Sequence, residues 1–402
     1  MNYKVLILNF ILLALSYSPL TIYSTTINEI SKQYQVSNSM ASLGISLLML
    51  GYAMGSYVES KAVNYFGFKK VITAAIFMAI IPQFIIPMLD NFYILMILRF
   101  IQGCGIVWYA TTSMATAIST PKCTGVTAGI VSAAIPFGIG LGGLIAGYSL
   151  ELFDSWKTVW NVFGLLLLIY TIFWFICINE PKKTEINIQK NIPNNGSQNK
   201  KPIIYYLAAW ISAFALFFNA WQLIGLNTIA PNYLSSLGYS SVNIGNAVLF
   251  GGLIGAISTP FGGILSDVLI NKFKIKPISA RAYTMGIAGF FIAAIGSIFF
   301  PFLSGISVSF SFFAYILAGF GIPLTNASIS ALPRDLNIPE YLQEELFGFT
   351  ILVGIGLGAT IIPFITSMIA ENISFTFAFT FLCLGAFFGF ILSIIIPFLI
   401  KE

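Results

Sequence analysis

An all-α membrane protein, with twelve transmembrane helices in two pseudo-symmetric six-helix bundles, is the fold this sequence predicts, and three observations carry it. Of 402 residues, 57% are hydrophobic and only 8% are charged, against roughly 25% in a soluble domain. The apolar character runs along the whole chain, with a mean hydropathy of +0.90, which excludes a soluble enzyme on a single anchor. The apolar runs are continuous and about twice the ten residues of a barrel strand, so helices rather than strands satisfy the backbone.

At about 1.5 Å per residue, roughly 20 apolar residues cross about 30 Å of hydrocarbon, and twelve stretches qualify. The first, 4–25, follows Met1-Asn2-Tyr3-Lys4 like a signal peptide, yet no small-x-small cleavage site follows and eleven similar runs come after it, so it is a retained span. The next five are 39–59, 69–89, 92–118, 124–150 and 156–178. The longest polar stretch, 180–202, is rich in Asn, Gln and Lys and falls almost at the midpoint. It reads as a flexible cytoplasmic linker between halves 1–179 and 203–402. The second half supplies 203–230, 241–265, 278–301, 306–332, 346–370 and 373–400, the last two separated only by the polar residues around Glu371 and Asn372.

Charge sets the orientation. With both termini in the cytoplasm of a multi-pass protein of the cell membrane, Lys4, Lys61, Lys69, Lys70, Lys122, Lys182, Lys183, Lys190, Lys200, Lys201, Lys272, Lys274, Lys276, Arg281, Arg334 and Lys401 all lie inside. Only Lys32 and Lys157 lie outside, and Arg99 belongs to neither side. These cations are scattered among short loops and form no basic face, so the net charge of +5 points to topology and not to a nucleic acid. The chain has no His, which removes imidazole ligands, His-based triads and His proton relays. Cys104, Cys123, Cys177 and Cys383 lack C-x-x-C spacing and read as small hydrophobes, so no metal site or cofactor is expected. Gly67-Phe68-Lys69-Lys70 lacks the preceding loop and the hydroxyl of a phosphate-binding loop.

An internal duplication supports the two halves. Gly51-x-x-x-Gly55 has a counterpart in Gly251-x-x-x-Gly255, Gly103-x-Gly105 in Gly319-x-Gly321, and Gly138-Ile139-Gly140-Leu141-Gly142 in Gly354-Ile355-Gly356-Leu357-Gly358. The three pairs recur in the same order near an offset of half the chain.

Twelve spans, a central linker and this repeat resemble the major facilitator superfamily of secondary transporters, and the likeness covers essentially the whole chain. Between spans two and three that family's pattern is similar to G-x-L-x-D-R-x-G-R-K. Here the segment is Ser60-Lys61-Ala62-Val63-Asn64-Tyr65-Phe66-Gly67-Phe68-Lys69-Lys70: Gly67 and the lysines fit, and Asn64 replaces the acid. The repeat, Gly263-Ile264-Leu265-Ser266-Asp267, keeps the acid but lacks the Arg and Gly that follow it. Arg99-Phe100-Ile101-Gln102-Gly103-Cys104-Gly105 resembles the family's R-x-x-Q-G-x-G, and Trp156-Lys157 resembles its entry to span six. The glycine-rich fifth span resembles an antiporter motif, but Pro136 stands six residues before Gly142-Gly143 where that motif has three. Packing that lets spans five and eight approach and slide is the alternative.

The resemblance implies a central cavity between spans one, four, seven and ten, so polar residues sharing a face there are the candidates for binding solute. They are Arg99, Gln102 and Tyr109 on span four, with Ile106 and Ser113 on the same face; Tyr17 and Thr21 on span one; Asn219, Trp221 and Gln222 on span seven; and Thr325 and Asn326 on span ten. Helix-to-helix hydrogen bonding competes with cavity lining for each. Arg99, buried at a cost of about 2.5–3.5 kcal/mol, faces the bundle interior. It either braces span one through carbonyls near Pro19 or meets an anionic substrate. For gating, Asp267 with Arg281 forms a candidate latch between the halves, and Gly67 and Lys69 mark the weaker equivalent in the first half, where Asn64 is neutral.

The function this implies is not enzymatic. It is secondary active or facilitative transport of a small solute, an organic or inorganic anion or a neutral metabolite, by alternating access. Membrane lipid surrounds a monomer, and a coupled ion is open, with Glu29 and Glu59 as the acids near helix ends. Efflux of hydrophobic compounds is the alternative within the class, and a non-transporting membrane receptor the alternative outside it.

Overall fold

The structure, a computed structural model, describes residues 3–117, 124–180, 203–335 and 342–400. Lys122, the expected linker from Pro181 on, Lys401 and the side chains of Asn64, Tyr109 and Arg334 fall outside it. Every described element is helical, and eleven helices are long and apolar enough to cross a membrane.

Span one is built from α1 (Tyr3–Tyr17) and α2 (Pro19–Thr25), with α3 (Ile27–Tyr34) continuing from it. Then come α4 (Asn38–Phe66), α5 (Phe68–Ile85), α6 (Phe92–Gly103), α7 (Trp108–Ala117), α8 (Thr124–Ser132), α9 (Ala134–Phe153) and α10 (Trp156–Cys177). The second group is α11 (Leu207–Ser236), α12 (Ser241–Asn271), α13 (Pro277–Tyr283), α14 (Ile292–Ser304), α15 (Val308–Asp335), α16 (Gln343–Asn372) and α17 (Phe375–Leu399). A π-helical stretch, Thr284–Phe291, joins α13 to α14 within one membrane-length helix.

The polar residues that broke the hydropathy pattern are caps. The hydroxyls or amide oxygen of Ser37, Asn91, Ser155, Ser240 and Ser374 accept backbone N–H groups in the first turns of α4, α6, α10, α12 and α17. The split expected at Glu371 and Asn372 falls where α16 ends and Ser374 starts α17.

One expectation is corrected. Span four, expected to run unbroken over 92–118, breaks between α6 and α7, leaving Phe92–Gly103 as a short apolar helix. The N–H groups of Gly105 and Ile106 turn back onto the carbonyls of Gln102 and Gly103 in tight i to i+3 bonds. Gly105 also lies against the α5 backbone, where a Cβ would come within 2.6 Å of the Ala79 nitrogen.

Helices α1–α10 pack mainly on one another, as do α11–α17, and the groups meet along α9 against α12 and α4 against α16. The first seam is made of glycines: a Cβ on Gly252 would lie 2.5 Å from the Pro136 oxygen and 2.6 Å from the Gly140 Cα. The second runs from the Ser39 N–H on Glu371 Oε2, at 3.2 Å, to Gly348 beside the Tyr57 ring.

Candidate solute crevice between the helix groups

Two small crevices open where the groups face each other. Tyr17, Trp108, Asn219 and Asn326 contribute the polar atoms of the first, among Met49, Ile135 and other apolar side chains. Gln222, Asn227 and Tyr315 contribute those of the second, beside Pro136 and Pro323. Leu223 lines both, and no lining residue of either is charged. They leave about 30 and 20 Å³ respectively, room for one or two water molecules and for no larger solute in this arrangement.

Asn219 organises the first crevice. On the buried face of α11, its Nδ2 donates to Thr325 Oγ1 (2.7 Å), Asn326 Oδ1 (3.0 Å) and the Ile322 carbonyl (3.2 Å), tying α11 to α15. Thr325 therefore stands behind the crevice, with its Oγ1 also donating to the Ile322 carbonyl. One turn along α11, Gln222 Nε2 donates to Ser297 Oγ of α14, and its Oε1 lacks a partner among the described residues.

Of the candidates read from the sequence, Tyr17, Asn219 and Asn326 meet in one crevice and Gln222 lines the other. Four others lie elsewhere. Trp221 is on the opposite side of α11, packed on Phe217 and Phe381 and against Gly385 of α17. Thr21 donates to the Ile139 carbonyl at 2.6 Å, joining span one to α9. Arg99 and Gln102 sit inside the first group. The face shared by Arg99, Gln102, Tyr109 and Ser113 presumed an unbroken helix, and the turn after Gly103 removes that register.

Arg99 is fully buried. Its Nε donates to the Gly44 carbonyl at 3.0 Å, and one terminal nitrogen reaches the Pro19 carbonyl at 3.4 Å and Gln102 Oε1. Gln102 donates to Gln83 Oε1, and Gln83 to the Trp160 carbonyl. The guanidinium lies 4.3 Å from the Tyr23 ring centre and 5.6 Å from that of Trp160, so aromatic faces and carbonyl dipoles stand in for a counter-ion. Gln83 was not singled out from the sequence, although an amide beside Pro82 inside an apolar run was its signal.

Asp267 and Arg281 do pair, at 2.8 Å, but Arg281 also reaches Asp335 at 3.3 Å and Ser266. The cluster links α12, α13 and α15, all in the second group, and does not bridge the two groups. Asp267 is more than half exposed, which limits such a pair to about 0–1 kcal/mol. Asp267→Asn is thus expected to lower stability by less than about 1 kcal/mol, with the difference fading in high salt. Thermal unfolding at two ionic strengths checks this.

Gly67 takes a left-handed φ of 82° that turns α4 into α5. Where Asn64 leaves the turn without its acid, Glu180 arrives from beyond α10: Oε1 accepts the Phe68 N–H and Oε2 the Lys69 N–H, both at 2.7 Å. Lys69 Nζ returns to the Ile178 carbonyl at 3.0 Å. A carboxylate at a helix N-terminus is favourable, and only an acid following a membrane span hinted at it in the sequence.

Long apolar helices in two facing groups, with a polar but uncharged crevice between them, make this a multi-pass membrane protein of the carrier type. Residues 10–351 match the model of the Major Facilitator Superfamily, and the chain belongs to that family of transporters. It is 24% identical over 296 residues to the hexuronate transporter of Bacillus subtilis (strain 168), covering 67% of this chain and 70% of that one. It is similar to the MFS antiporter QDR2 of Candida albicans, 24% over 191 residues, covering 46% of this chain and 37% of that protein. The uncharacterized transporter BU588 of Buchnera aphidicola is 26% identical over 272 residues, covering 65% and 63%.

Proposed function

We propose that this transporter carries a small neutral solute, with hydrogen-bonding groups on an apolar body, by alternating access. The halves 1–179 and 203–402 rock as units about the α9–α12 and α4–α16 seams, with 180–202 as the cytoplasmic linker. The lysine-rich turns around Lys69 and Lys274 face the cytoplasm, as do both termini, in the cell membrane. The observation that carries the substrate class is the lining: Tyr17, Trp108, Asn219 and Asn326 bring polar groups and aromatic faces to it, and no charge.

A second reading comes from the Bacillus relative, a hexuronate transporter. Carrying such an anion requires Arg99 to leave the Gly44 and Pro19 carbonyls and turn into the crevice.

A thermal-shift screen of the purified protein against neutral and anionic solutes separates the readings, because a ligand stabilises the folded state by mass action. Neutral solutes are expected to raise the unfolding midpoint. Asn326→Ala is expected to weaken binding about tenfold, the loss of one hydrogen bond worth about 1.4 kcal/mol. Stabilisation by anions alone would overturn the neutral-solute reading.

A further inference from the structure

On α4, Glu59 is 4% exposed, and neither carboxylate oxygen has a hydrogen-bond partner among the described residues. It lies within a membrane span, Asn38–Val63. Glu59 continues the face of Gly51 and Gly55, the residues that let α4 touch α6: a Cβ on Gly55 would lie 2.8 Å from the Cys104 Cα. That register sets the carboxyl beside the break between α6 and α7, on the side of the Ala110 N–H in the first turn of α7. The first N–H groups of a helix have no partner within it and attract negative charge.

Above Glu59 on the same side of α4 stand Ser56 and Tyr52, both buried, with the Tyr52 hydroxyl facing those of Ser56 and Tyr17. The Tyr52 ring meets that of Tyr17 edge-on at 5.5 Å, and Tyr17 lines the first crevice. A row of buried hydroxyls thus runs from the crevice to the acid.

We propose that Glu59 is a proton-exchange site coupled to the bend of span four. This deepens the transport function proposed above by naming a coupling ion, and rests on it. In the closed arrangement the buried carboxyl is the neutral acid, because an ionised one there would have no counter-charge. When α7 moves and water reaches the carboxyl, the proton passes to that water. The carboxylate left behind accepts the Ala110 N–H, and a proton taken from water on the other side restores the acid. One proton is released and one taken up per cycle.

No neighbouring charge competes for this role among the described side chains. The titratable side chains that feel the charge of Glu59 are Tyr52 on its own helix and Cys104 after α6. Lys61 donates to Tyr57, Arg99 of α6 is held at Gly44, Lys69 of α5 at Ile178, Tyr23 of α2 at Ala41 and Glu371 of α16 at Ser39.

Infrared difference spectroscopy of the full chain in liposomes tests the proposal without any solute. Between about pH 5 and pH 9, spanning the range where perturbed carboxyls titrate, the wild type is expected to show a protonated-carboxyl band that is lost in Glu59→Gln and returns, shifted, in Glu59→Asp. Hydrogen exchange of the Cys104–Ala110 amides, corrected for intrinsic rates, is expected to change with pH in the wild type and not in Glu59→Gln. Identical spectra in wild type and Glu59→Gln would overturn the proton site, and pH-independent exchange in the wild type would overturn its coupling to the bend. Failure of the neutral-solute reading would leave both measurements as they are.

Discussion

Arg99→Met is expected to cost on the order of 3 kcal/mol of stability, because buried carbonyls and Gln102 lose their donor together. Methionine keeps the volume but offers nothing to the Gly44 and Pro19 oxygens, which belong to α4 and to the start of α2. The amide chain through Gln102 and Gln83 to the Trp160 carbonyl also loses its first donor. Arg99→Lys is expected to recover little, since a point ammonium cannot match a planar fork that bonds in several directions while lying over the Tyr23 ring. Unfolding followed by tryptophan fluorescence in detergent checks both variants, and a midpoint for Arg99→Met equal to that of the wild type would refute the brace.

The second large effect is expected at the glycine seam. In Gly252→Ala the new methyl meets the Pro136 oxygen at 2.5 Å and the Gly140 backbone nitrogen at 2.7 Å, atoms of α9 that no rotamer change can move. Overpacking of this kind costs about 1–3 kcal/mol, and here it acts by pushing α9 off α12. Gly263→Ala, on the same helix, meets only the Ala327 Cβ at an ordinary 3.5 Å and is expected to be silent. Equal melting of the two variants would show that the seam yields without cost.

Fold class was legible because hydropathy is local: each span declares itself within about 20 residues, and the repeat of Gly51 and Gly55 at Gly251 and Gly255 needs no structure to be seen. The site was legible only where the polar residue and its partners belong to regular helices. Asn219, Asn326 and Gln222 reached the crevices because α11 and α15 run unbroken, so their helical faces could be read by counting. Counting failed on span four, where the turn after Gly103 resets the register, so Arg99 and Gln102 brace the first group and do not share a cavity face with Tyr109 and Ser113. The Pro19 carbonyl was among the partners expected for Arg99, because a proline inside an apolar run marks a freed carbonyl, but nothing in the side-chain pattern marked the Gly44 carbonyl, 55 residues away. Trp108 escaped notice for the same reason: it is the first residue after the break.

Glu180 has a mechanical consequence. The chain leaving α10 is fastened to the start of α5 by the Glu180 carboxylate, which accepts two backbone N–H groups there. A pull on the chain at Glu180 is therefore borne by α5 as well as α10, so those two helices share the load at two anchor points and α10 resists being peeled away alone.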